Sequence, residues 1–181
     1  IDGRDFRAVA VAGDVYLGGM DWDERIARHV AEAFLRQHGV DLHQQSGEWE
    51  RLMHAACDAK LSLTARTETP IAFSHAGKQL RLRLTRDEFE SLTGDLLERT
   101  RLTCRSLLQD AAVPWSDLTR LLLVGGATRM PMVQRMLAEE SGLTPDRSLS
   151  PDEAVAHGAA IYAGLLLRQG PESLRGLSVR N

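Results

Sequence analysis

The sequence predicts an α/β fold in which a smaller α+β segment interrupts a framework of strands and helices. Three observations lead there. Leu121-Leu122-Leu123-Val124 is an apolar run that stops at Gly125-Gly126, the pattern of a short strand buried on both faces and passing into a helix. A second glycine pair, Gly18-Gly19, stands at the entrance of a helical stretch near the start of the chain. Between these two lie a helical periodicity and a hairpin pattern, so the elements on either side of that insert have to pack together across it.

Composition narrows the function classes. The 181 residues, 43% of them hydrophobic, suffice for one ordinary domain or two small lobes with a real core. A formal net charge of -3, with basic residues scattered among acids, gives no footprint for nucleic acid. Cys57 and Cys104 are the only cysteines, which leaves neither a disulfide framework nor a zinc site and fits a reduced, cytoplasmic setting. No apolar run has the length of a membrane span, and no signal peptide opens the chain. Ile1-Asp2-Gly3 reads as a hairpin turn, so the chain is expected to be part of something longer.

Taken in order, residues 6–12 alternate loosely and read as a strand ending at Gly13-Asp14. Residues 21–38 form a helix with Trp22, Ile26, Val30 and Phe34 on one stripe, Asp21, Asp23 and Glu24 in its first turn, and Gly39 as its stop. A second helix over 48–65 turns Trp49, Leu52, Met53, Ala56, Ala59 and Leu63 inward. Lys60 and Thr64 share one flank of it, either as a grip for a ribose hydroxyl or as a solvated edge. A hairpin follows, 69–75 and 79–84, with Leu80, Leu82 and Leu84 alternating against Arg81 and Arg83 around a turn at Ala76-Gly77-Lys78. Thr85-Arg86-Asp87-Glu88 is a capping box that opens one long helix through Phe89, Leu92, Leu96, Thr103, Leu107 and Ala111.

The central strand at 121–124 then meets Gly125-Gly126-Ala127-Thr128-Arg129-Met130-Pro131, with Pro131 suited to a first helical position. Paired glycines there let a ligand approach the backbone, or else form an ordinary strand-to-helix turn; the motif is neither GxGxxG nor GxxxxGK[ST]. A short helix over 132–140 closes near Gly142. Ser150-Pro151-Asp152-Glu153 reads as the start of a final helix whose Ala156, Gly158, Ala159 and Ala160 imply close packing on a neighbour. The tail over 169–181 reads as a linker.

Together these motifs resemble the ATPase domain of the 70-kDa heat-shock protein chaperones (DnaK-like), within the actin-like superfamily. The resemblance rests on Gly13-Asp14 with Leu17-Gly18-Gly19-Met20-Asp21-Trp22-Asp23, on Ala59-Lys60, on the residues 124–131, and on the residues 150–160. It implies the second lobe of that ATPase domain. Residues 1–19 and 94–168 would form an incomplete ribonuclease H-like subdomain, 20–93 an inserted smaller subdomain, and 169–181 the interdomain linker. The parent would be a stress-response ATPase that couples ATP binding and hydrolysis to protein-substrate binding in protein folding. Carried over by residue, Lys60 and Thr64 would contact the ribose of ATP or ADP. Gly125, Gly126 and Ala127 would line the base and α-phosphate side, Arg129 would stack on adenine, Asp152 would sit beside the base, and Gly19 would lie near the phosphates.

The departures matter as much. Cys57 stands where the family places a glutamate, Ala127 where it places a serine, and Leu61 where some members have a second stacking arginine, so weaker adenosine affinity is expected. The resemblance implies that the family's first lobe, which holds Mg²⁺ and the catalytic lysine, and its substrate-binding domain are partners supplied by the parent chain. This stretch alone is expected to have no catalytic residues and no ATP hydrolysis. A nucleotide-exchange factor and a co-chaperone are the implied protein partners, with self-association through an exposed sheet edge or coverage of that edge by the tail. Two other readings are a protein-interaction lobe with little nucleotide binding and a different actin-like ATPase.

Overall fold

The computed structural model describes residues 5–45, 47–146, 148–167 and 177–180. Mixed helix and strand divide into two compact units. One comprises residues 14–100 and 129–133, and the other 1–13, 101–128 and 134–181.

In the first unit, α1 (Gly19–His38) buries the predicted stripe of Trp22, Ile26, Val30 and Phe34 together with Ala27 and Ala31. Its end is set by Gly39, whose φ of 70° is left-handed and whose N–H bonds to the carbonyl of Leu35 at 2.8 Å. α2 (Glu48–Ala65) packs on α1 through Leu52, Ala56, Ala59 and Leu63, while Trp49 and Met53 are only half-buried. The guanidinium of Arg86 satisfies the last carbonyls of α2, with bonds to Leu63 at 2.9 Å and Arg66 at 2.7 Å.

β2 (Glu68–His75) and β3 (Lys78–Thr85) form an antiparallel hairpin. His75 pairs with Lys78, so the turn is Ala76-Gly77, one residue shorter than expected. Both turn residues have positive φ, 48° and 76°, the handedness that a two-residue hairpin requires. Ile71, Phe73, Leu80 and Leu84 form the buried face, and Phe73 meets Phe34 edge-on at 6.1 Å. Arg81 and Arg83 lie on the wet face as predicted.

The capping box is present: Thr85 Oγ1 accepts from the N–H of Glu88 at 3.2 Å, and the Glu88 carboxylate accepts from the N–H of Thr85 at 2.8 Å. The helix it opens is not one long helix, however. It is split into α3 (Arg86–Leu92) and α4 (Gly94–Asp110). Thr93 causes the break: fully buried at φ -123° and ψ 10°, it turns its hydroxyl back onto the carbonyl of Phe89 at 2.8 Å, and a glycine follows.

In the second unit, the residues of α4 from Arg101 and those of α5 (Pro131–Ser141) from Gln134 are joined by Glu140. Its carboxylate, 8% exposed, accepts from Arg101 at 2.9 Å and from Arg105 at 2.7 Å. β1 is only Asp5–Arg7, shorter than the predicted 6–12, because its hydrogen-bonding partner β4 (Ser178–Arg180) has three residues; residues 8–12 are exposed. β4 runs parallel to β1 and belongs to the segment read as linker, so the tail covers a sheet edge. The rest of that segment lies outside the described residues, apart from Leu177.

Two further expectations are corrected here. Among the described residues, 121–124 make a single parallel bridge, Leu122 to Asp146, and of them only Leu123 is buried; Leu122 and Val124 are exposed, so this is not a strand covered on both faces. α6 (Ala154–Leu166) starts after Glu153, and no side-chain cap closes its first turn. Ser150 acts through its carbonyl, which accepts from Glu153 at 3.2 Å and Ala154 at 3.0 Å. The small residues of α6 do not mark a packed face: none of the helix is buried, and among the described residues nothing lies within 4 Å of where a Cβ on Gly158 would stand.

Candidate functional site

Each unit carries part of the predicted residue set. In the first unit the local chemistry centres on Lys60. The side chain leaves α2 toward the N-terminal turn of α1, where Nζ donates to the carbonyl of Gly19 at 2.7 Å and to Asp23 Oδ2 at 2.8 Å. It also lies 2.8 Å from Asp23 Oδ1. The two side chains are 11% and 7% exposed, so this is a buried ion pair and not a solvated edge. A Cβ on Gly19 would stand 3.4 Å from Nζ, at the near limit of ordinary contact, so the ammonium lies directly against this turn. Burial pushes the Asp23 carboxyl above the usual aspartate range, against the opposing pull of the Lys60 hydrogen bond and charge.

Thr64, one turn along α2, donates its hydroxyl to the carbonyl of Leu61 at 2.7 Å, leaving its oxygen lone pairs as acceptors. The N-terminus of α1 is tied by Asp21, whose carboxylate accepts the N–H of Gly18 at 2.6 Å. Cys57 is half-buried on the same helix as Lys60. Arg129 belongs to this unit and is exposed.

In the second unit Gly125 has a φ of 91°, a conformation that favours glycine, and its N–H donates to the carbonyl of Pro151 at 2.8 Å. Gly126 opens a short 3-10 turn, Gly126–Arg129, and a Cβ on it would lie 3.8 Å from Asp152 Oδ1. Thr128 closes the turn by donating its hydroxyl to the carbonyl of Gly125 at 2.6 Å. Gly125 and Gly126 are exposed and Ala127 half-buried, so the backbone of this turn is accessible. Residues that lie apart in the sequence, Gly126 and Asp152, are therefore neighbours, as are Gly19 and Lys60.

Asp23 is the residue that sequence reasoning assigned too weakly, as one of several first-turn acids. Its place was readable: with Ile26, Ala27 and Val30 it falls at the i, i+3, i+4, i+7 spacing of the buried stripe, and a carboxylate there needs a cation.

The sequence pattern of the family described as Hsp70 protein matches residues 1–179. The chaperone protein DnaK of Thermosipho africanus is 44% identical over 179 residues, covering 96% of this chain and 30% of that protein. DnaK of Thermotoga maritima is likewise 44% identical over 178 residues, covering 94% and 30%. The mitochondrial heat shock 70 kDa protein of Solanum tuberosum is 37% identical over 195 residues, covering 97% and 29%. The chain thus spans about 30% of the length of the curated relatives it matches.

Proposed function

The chain belongs to the Hsp70 protein family, and from that premise we propose that it is an adenine-nucleotide-binding lobe of a DnaK-like chaperone. Lys60 and Thr64 hold the ribose, Gly19 lies near the phosphates, Gly125, Gly126 and Ala127 line the base and α-phosphate side, Asp152 borders the base, and Arg129 stacks on adenine. The observation that carries this reading is the glycine turn: a positive-φ Gly125 and an exposed Gly126 beside Asp152, with Pro151 fixing the turn from behind. A flat base can approach such a backbone closely, where any Cβ would hold it off. Whole-protein activity, ATP hydrolysis coupled to substrate binding, and its co-chaperone and exchange-factor partners belong to the parent, as does Mg²⁺ chemistry with the other lobe. The subdomain division at 1–19 with 94–168, 20–93 and 169–181 is part of the same proposal.

The test is calorimetric titration of the chain with adenosine, ADP and ATP. The expected result is saturable binding that is lost on Arg129→Ala, with no ATP turnover above background. Absence of binding at millimolar ligand refutes the nucleotide reading and leaves a protein-interaction lobe, for which Cys57 in place of a carboxylate is the supporting observation.

A further inference from the structure

We propose that Asp23 is the positioning residue for Lys60, setting the ammonium where it meets the sugar hydroxyls; this rests on the nucleotide reading. A lysine on a flexible stem binds a small neutral group best when its position is settled before the ligand arrives. Here it is settled from two directions. Nζ donates to the carbonyl of Gly19 at 2.7 Å and to Asp23 Oδ2 at 2.8 Å, within a pair whose side chains are 11% and 7% exposed. An ammonium has three N–H donors, so two are committed and one is left for a ligand oxygen.

Asp23 is itself immobilised, since it lies on the buried stripe of α1 between Trp22 and Ile26. Its Oδ1 is buried, lies 2.8 Å from the ammonium and makes no hydrogen bond, so Asp23 acts through Lys60 and does not touch the ligand. The pairing also fixes the kind of ligand group selected. A lysine whose charge is balanced by a carboxylate at 2.8 Å is a directed donor with little net field, suited to a neutral hydroxyl in preference to a phosphate.

The experiment compares adenosine with 2′,3′-dideoxyadenosine on the whole chain, wild type and Asp23→Asn, with thermal unfolding recorded alongside. Loss of one charge-assisted hydrogen bond weakens adenosine about tenfold in the variant and leaves the dideoxy ligand unchanged. In a Lys60→Ala background the same Asp23→Asn change has no further effect on adenosine. Equal loss for both ligands makes Asp23 merely structural and overturns the proposal, and so does no loss at all. Wild-type chain that binds neither ligand sinks the nucleotide seat and this inference with it. If Asp23→Asn does not fold, the wild-type chain decides: the Lys60 ammonium signal in ¹H–¹⁵N spectra shifts with adenosine and not with the dideoxy ligand, and a signal unmoved by both overturns the assignment.

Discussion

The N–H of Gly125 donates to the carbonyl of Pro151 at 2.8 Å, so the glycine turn and the turn before α6 are one hydrogen-bonded structure. The two glycines of that turn differ in what they require. Gly125 has a φ of 91°, which a side chain strains, whereas Gly126 has no such φ and offers a Cβ an ordinary contact at 3.8 Å from Asp152 Oδ1. Gly125→Ala is expected to cost about 1–3 kcal/mol in urea unfolding, and Gly126→Ala to fall within about 0.5 kcal/mol of wild type. Ligand binding reverses the comparison, because Gly126→Ala places a methyl on the surface proposed for the base. Equal destabilisation by the two would contradict this division of roles.

Lys60→Met separates the charge of the buried pair from its bulk. Removing the ammonium leaves Asp23 buried without a counter-ion, at an expected cost of about 3 kcal/mol near neutral pH. The sign of the pH dependence follows from the direction of the Asp23 shift. Its folded carboxyl is raised above the unfolded value of about 3.9, so its stabilising contribution is fully present below that value and is lost as pH rises through the folded one. Without Lys60 the folded value rises further. The variant's deficit in urea midpoint is therefore largest at neutral pH and shrinks on acidification, as Asp23 takes up a proton. A deficit independent of pH would show that lost packing, not the orphaned charge, is responsible.

These two cases also show what the sequence could reveal. Periodicity is a local property, so α1, α2 and the hairpin were legible from Trp22, Ile26, Val30, Phe34 and the alternation at Leu80 and Leu84. Their pattern is satisfied inside one unit. The break at Thr93 was not legible, since Thr is tolerated within helices and only its burial against Phe89 and Met132 turns its hydroxyl inward. Residues 121–124 misled for a different reason. Four apolar residues predict burial on both faces, but a strand exists only where neighbours pair with it, and here Leu122 makes one bridge. At the candidate site the glycines announced themselves, whereas the Lys60–Asp23 pair required knowing that α1 and α2 meet.

Glu140 supplies an acid-sensitive clasp in the second unit. Hydrogen bonds from Arg105 first, and from Arg101, hold its carboxyl below the usual glutamate range against the effect of burial. A depressed folded value means that its stabilisation is present above the unfolded value of about 4.3 and is lost as pH falls through the folded one. Glu140→Gln keeps the shape and removes the charge. The expected outcome is a lower urea midpoint at neutral pH and a gap from wild type that closes below about pH 4. A gap that persists in acid would mean that the clasp works by packing alone.

The capping box offers a test of whether α3 depends on its own first turn. Thr85 Oγ1 accepts the N–H of Glu88 at 3.2 Å, and the returning carboxylate accepts both the N–H of Thr85 at 2.8 Å and its hydroxyl at 2.7 Å. Thr85→Ala removes the acceptor for one orphan N–H and is expected to cost about 1 kcal/mol. Thr85→Ser, which keeps the oxygen, should recover most of that. Thr85 is also the last residue of β3, paired with Glu68, so weakening of the hairpin is the competing outcome for the alanine variant. Amide hydrogen exchange distinguishes the two: loss of the cap speeds exchange at the first amides of α3 and leaves Ile71 and Phe73 protected, because their ladder partners Leu82 and Leu80 are untouched. Faster exchange spread over β2 and β3 would place the damage in the sheet.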